Sequence, residues 1–133
     1  MRAQDKTLRV QVAIERKCGI LLDFDDAWQL RRAELTLHRW AEGECGDGYS
    51  CITRDETTGK PFREVSGLSG RNRMIPIPDR ETGALKRVAE VCARYGLAFY
   101  HQTDPRGCAL YVASPSDGMN DTNYNSVGVA VGA

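Results

Sequence analysis

What this chain lacks first is charge of one sign: eighteen lysines and arginines stand against eighteen aspartates and glutamates. There is no global field, so any attraction to nucleic acid or to an anionic membrane has to come from a local patch. Long apolar runs are missing as well. Nowhere do eighteen apolar residues follow one another, which argues against a membrane-spanning helix. The opening MRAQDKTLRV is charged within five residues and has no apolar core of a signal peptide. Histidine is scarce, with two residues, and the five cysteines are odd in number and scattered. Unframed cysteines favour reduced thiols in a cytoplasm over a secreted disulfide scaffold. His38, Cys45 and Cys51 have ligand-type side chains, but their H-x6-C-x5-C spacing contains no tight zinc knuckle. The run SGLSG lacks both the spacing and the lysine of a phosphate-binding loop, and no dinucleotide fingerprint occurs. A soluble protein without metal or cofactor is therefore expected.

What is present is enough for one core: 133 residues with 41% hydrophobic side chains predict a single domain. Residues 79–113 carry the clearest local signals. Asp79 is a suitable N-cap, and Gly96 can take the left-handed conformation that ends a helix. Between them Leu85, Val88, Ala89, Cys92 and Tyr95 recur at three- and four-residue spacing, while Arg80, Lys86, Arg87, Glu90 and Arg94 fall mainly on the other side. After Gly96 the pattern turns β-branched and aromatic. Asp104-Pro105-Arg106-Gly107 then predicts a hairpin with a glycine bulge, Asp104 opposite Cys108 and Gln102 opposite Leu110.

Upstream, residues 6–18 are ambiguous between a strand, from the alternation of Leu8, Val10, Val12 and Ile14, and a helix capped by Asp5 and Gly19; the caps favour helix. Asp25 or Asp26 can start a second helix running to about Glu42. Its main apolar face is Ala27, Leu30, Ala33, Leu37, Trp40 and Ala41, with Trp28 and Leu35 on the opposite side. Cys51 to Arg54 and Lys60 to Val65 read as short strands, with Pro61 at an edge or a strand start. Ser66 to Arg73 reads as a flexible basic loop, Met74 to Pro78 as extended chain, Ser114 to Asn125 as a surface loop and Val127 to Val131 as a final strand. The fold class is α+β: an antiparallel β-sheet, including a 97–113 hairpin, covered on one side by two or three α-helices.

Few residues carry obvious chemistry. Asp23, Asp25 and Asp26 can be read as a divalent-ion cluster for hydrolysis, or as carboxylates favoured at a helix start. No cysteine lies in a nucleophile signature, and His101 sits within a strand. No catalytic residue emerges. The group that stands out is Lys60, Arg63, Arg71 and Arg73, with only Glu64 to offset them, joined by Arg106 at the hairpin tip. Arginine forks beside glycine and serine amides suit carboxylate or phosphate oxygens, with Tyr49 and Phe62 available for stacking. These five cations are the expected partner-binding residues.

The chain also resembles a family of small proteins encoded by tailed bacteriophages and prophages of proteobacteria. The matching pieces are Leu37-His38-Arg39-Trp40-Ala41-Glu42 with Glu44-Cys45-Gly46, then Arg54-Asp55-Glu56 with Thr58-Gly59-Lys60-Pro61. They continue with Ile77-Pro78-Asp79-Arg80-Glu81 and Gly83-Ala84-Leu85-Lys86-Arg87, and end with Gln102-Thr103-Asp104-Pro105-Arg106-Gly107 and Ala109-Leu110-Tyr111. The resemblance implies a phage origin and action in a bacterial host cytoplasm, and it transfers no catalytic residue. By analogy with small phage accessory proteins, the expected function is non-enzymatic binding. That means an anti-defence or host-takeover inhibitor which blocks a host defence complex, in the manner of an anti-CRISPR, or sequesters a signalling nucleotide. The alternatives are a nucleic-acid-binding accessory of phage DNA metabolism and a metal-dependent nuclease or hydrolase.

Overall fold

In the computed structural model three helices cover one face of a six-stranded antiparallel sheet. The structure describes residues 3–45, 49–55, 57–66, 72–104, 107–114 and 128–132. The elements are α1 (Ala3–Cys18), α2 (Phe24–Cys45), β1 (Tyr49–Arg54), β2 (Pro61–Ser66), β3 (Asn72–Pro76), α3 (Asp79–Tyr95), β4 (Ala98–Asp104), β5 (Gly107–Ala113) and β6 (Val129–Ala130). The strands lie in the order β3-β2-β1-β4-β5-β6. Two local units, β1 to β3 and β4 to β6, thus meet where β1 pairs with β4, and α3 carries the chain from one edge back to the centre. No helix among the described residues is long and apolar enough to cross a membrane.

The first helix resolves the alternation in its sequence. Thr7, Val10 and Ile14 point inward at helical spacing, whereas Leu8 and Val12 are exposed. Gly19 then closes the helix with φ +69°, donating its amide to the Glu15 carbonyl at 2.8 Å. In α2 the expected face is buried: Ala27, Leu30, Ala33, Leu37 and Ala41 sit against α1, α3 and the sheet, with Trp40 half-buried. Helix α3 buries Ala84, Leu85, Val88, Val91 and Cys92 and ends at Gly96, φ +65°. Its start differs from the sequence reading. Asp79 is the first helical residue rather than the cap, and Pro78 holds the cap position with no side-chain cap bond, because its hydrocarbon ring has no acceptor to offer.

The hairpin register also differs by one residue. Asp104 pairs with Gly107, and Thr103, His101 and Phe99 pair with Cys108, Leu110 and Val112. Gly107 belongs to the ladder, and Pro105 and Arg106 at the tip lie outside the described residues. The reason is the core. The expected pairing would have put Gln102 on the same face as Leu110, whereas the observed one groups Leu110 and Val112, both wholly buried, with Phe99, His101 and Thr103. Residues 72–76, expected as loop and extended chain, form an edge strand on β2 with Val65 opposite Arg73. Residues 115–127, which include most of the expected surface loop, lie outside the described residues.

Candidate functional site

Of the five cations singled out in the sequence, the three among the described residues, Lys60, Arg63 and Arg73, do not come together. Arg63 is wholly buried, a correction to its reading as a surface residue. The cause is strand alternation: residues 61–66 form β2, and Arg63 and Val65 face the helices while Phe62 and Glu64 are only partly covered. Lys60 is exposed after the β1–β2 turn, which Asp55 organises by accepting the amides of Thr57 and Thr58 at 2.8 and 3.1 Å. Arg73 is exposed at the other end of β2, opposite Val65. Five residue steps of strand lead from Lys60 to that position, about 17 Å. Arg71 and Arg106 lie outside the described residues. The Asp23–Asp26 group does not converge either: Asp26 is buried and accepts from Arg94 at 2.6 Å and from the Tyr95 hydroxyl at 2.5 Å, while Asp23 and Asp25 are exposed. Among the described residues no three His, Cys, Asp or Glu side chains come together as a metal site.

Arg63 instead centres a polar cluster under α2 and α3. Its guanidinium is paired with Glu81 of the first turn of α3, and both side chains have zero exposure. One Arg63 nitrogen donates to Ser50 Oγ at 3.1 Å, and Ser50 shares a 2.7 Å hydrogen bond with Thr103 across the β1–β4 junction. The other contacts His101 Nδ1 at 3.3 Å, and the guanidinium carbon lies 5.2 Å from the Trp40 ring centre. Arginine is a donor only, so His101 Nδ1 accepts and Nε2 carries the hydrogen. Burial, then the charges of Arg63 and His38, push His101 well below its ordinary value, so the imidazole is neutral. The Glu81 carboxyl is pushed up by burial against the pull of Arg63, and Glu34 is pushed up by burial against His38 and Arg31. The Cys92 thiol, buried under α3, is raised to about 12, which makes it an inert core group. Glu81 Oε2 and His101 Nε2 have no hydrogen-bond partner among the described residues.

Above this cluster, on the outer surface of the helical layer, lies an arginine face that the sequence reading missed. Asp26 at the start of α2 meets Arg94 at the end of α3, and Trp40 near the end of α2 lines one recess with Glu81 at the start of α3, so the two helices run antiparallel. A groove of about 490 Å³ between them is lined by Arg32, Leu35, Thr36, Arg39, Arg80 and Arg87. Each helix supplies two arginines seven residues apart, hence about 10 Å apart along its axis and on one side of it. Arg32 lies 5.3 Å from the Trp28 ring centre; none of the four is ion-paired with a described residue. Leu35, 46% exposed, forms an apolar strip beside them. The groove continues into a recess of about 260 Å³ lined by Thr36, Arg39, Trp40, Arg80 and Glu81. The sequence signal was there in the repeated i, i+7 spacing on the faces opposite the two apolar stripes. Four like charges from two distant segments become a site only once the helices are packed together. No family model, curated protein or solved structure matches the chain, so the reading of this face rests on its own geometry.

Proposed function

We propose that this chain is a non-enzymatic binding protein that captures a phosphate-bearing ligand on the arginine face between α2 and α3. In a phage-infected bacterium such capture would act against host defence, by sequestering a signalling nucleotide or by occupying the nucleic-acid path of a defence complex. The observation that carries the reading is the convergence of Arg32, Arg39, Arg80 and Arg87 on one groove with no described carboxylate paired to them. Guanidinium forks match phosphate oxygens two at a time, and an unpaired set of four in a chain of zero net charge makes a local positive field. The groups with displaced pKa values are the buried His101, Glu34, Glu81 and Cys92 and the half-buried Tyr95, and none of them lines the arginine groove; this favours holding a ligand over proton transfer on it.

The test is direct binding of a labelled single-stranded oligonucleotide and of nucleoside diphosphates to the wild-type chain and to an Arg32→Ala/Arg39→Ala/Arg80→Ala/Arg87→Ala variant. The variant should melt near the wild-type temperature, because solvated arginines contribute little, and should bind at least tenfold more weakly. Oligonucleotide affinity should fall with salt at a log–log slope of about −3, the value for four contacts to a single strand. Undiminished binding by a folded variant overturns the assignment.

A further inference from the structure

We propose that the recess behind the arginine face is a stacking slot for one unpaired nucleobase of any kind, with the Trp40 indole as its platform and the nucleotide's phosphates on the arginines of the groove. This rests on the phosphate-binding reading and narrows its ligand to nucleotides. The recess and the groove share Thr36, Arg39 and Arg80, so a ligand with its phosphates in the groove has its neighbouring atoms at the mouth of the recess. At about 260 Å³ the recess is smaller than the ~300–1,000 Å³ of sites that enclose a whole small ligand. It suits one ring system, with the charged part of the ligand left outside.

Trp40 is the informative residue. From within it packs on Ala41, Val65 and Ile75, and the Arg63 guanidinium carbon lies 5.2 Å from its ring centre. The indole is nevertheless only half-buried, and it lines the recess. An aromatic ring fixed from beneath and reached from a cationic groove is the combination that holds unpaired nucleotides, because the cations take the phosphates and the ring takes the base. Arg39 and Arg80 border both spaces, so either can lay its guanidinium plane against the base from the groove side. The same walls argue against a choice of base. Glu81, at the back, has no accessible surface and is paired with Arg63, and the Thr36 hydroxyl donates to the Arg32 carbonyl of its own helix at 3.4 Å. Neither reads a base edge, so affinity follows stacking area and purines bind more tightly than pyrimidines.

The experiment uses the full chain in magnesium-free buffer with ADP, UDP and inorganic pyrophosphate, and with a short single strand and the abasic strand of the same length. Binding is read by calorimetry, and by Trp40 fluorescence in a Trp28→Phe background. ADP should bind at least about fivefold more tightly than pyrophosphate, with UDP between them, and should quench Trp40 where pyrophosphate does not. Trp40→Leu should bring ADP within about twofold of pyrophosphate and leave pyrophosphate affinity unchanged. Should that variant fail to fold, the order of the ligands and the quenching decide alone. A base effect on the free diphosphates assigns the slot to a soluble nucleotide, and one confined to the strand, tighter than its abasic counterpart, assigns it to single-stranded nucleic acid; both uphold the slot. Three results overturn it and leave the arginine face standing: no base effect in either series, a preference for UDP over ADP, or a base effect that neither quenches Trp40 nor responds to its substitution. Absence of binding by every ligand, pyrophosphate included, overturns both.

Discussion

The two ends of α3 are each tied to the rest of the molecule by an ion pair, and the pairs could hardly differ more in setting. At the first turn Glu81 meets Arg63 with no exposure on either side chain; at the last turn Arg94, 58% exposed, meets a nearly buried Asp26. The outer pair keeps access to water, so its attraction is screened and its loss tolerable. The inner pair has surrendered its hydration on both sides, and breaking it strands an ion in the core. The inner pair therefore fixes where α3 begins relative to β2 and β4, and the outer one adds little to what packing already decides.

That contrast can be broken most directly at Arg63. Arg63→Ala leaves Glu81 buried and unpaired, and is expected to cost about 3–5 kcal/mol by denaturant unfolding, while Arg63→Met/Glu81→Leu together should recover most of it. A loss below about 1 kcal/mol for the single variant would place the inner pair in the same class as the outer one. Acidity sharpens the comparison, because His101 touches only the inner pair. Its folded-state pKa lies below the ordinary 6.5, so from pH 6.5 downward the unfolded chain takes up a proton that the folded one refuses, and stability is lost. The slope reaches at most about 1.4 kcal/mol per pH unit. Glu81 and Glu34, both raised chiefly by burial, act in the opposite sense as they take protons. The quantity to measure is therefore the difference between wild type and His101→Gln, which should narrow as pH falls below 6.5; a constant difference would mean that His101 does not titrate on unfolding. The smallest effect belongs to the outer pair. Arg94→Ala should cost about 0.2–1 kcal/mol and less in high salt, and a larger, salt-independent loss would show that α3 is anchored at both ends.

Much of the fold was legible because helix periodicity and glycine stops are local signals. Gly96 and the Leu85, Val88, Cys92 stripe could be read without knowing what packs on them, as could the inner face of α2. The α+β class followed, and residues 6–18 proved helical once the caps were weighed above the alternation of Leu8, Val10, Val12 and Ile14. The hairpin register was not legible, because two neighbouring registers differ in what faces Leu110, and that depends on helices elsewhere in the chain. Arg63 misled for a related reason. An arginine in a cationic stretch reads as surface, and only the arrival of Glu81 from α3 and Trp40 from α2 makes its burial tolerable. The arginine face was hidden in the same way, since Arg39 and Arg80 are forty-one positions apart and adjacent only after folding.

The strand order has one more consequence, for what happens when two copies of this chain collide. An open sheet ends in two rows of backbone groups that invite a foreign strand, and long flat edges are where aggregation starts. Here one edge is β6, two residues long, and the other is β3, five residues ending at Pro76, which has no amide to give. Pro78 follows two positions later, and the chain turns at once into α3. Neither β3 nor β6 itself presents a long row of donors and acceptors, so neither of these strands is a ready template for a neighbouring chain.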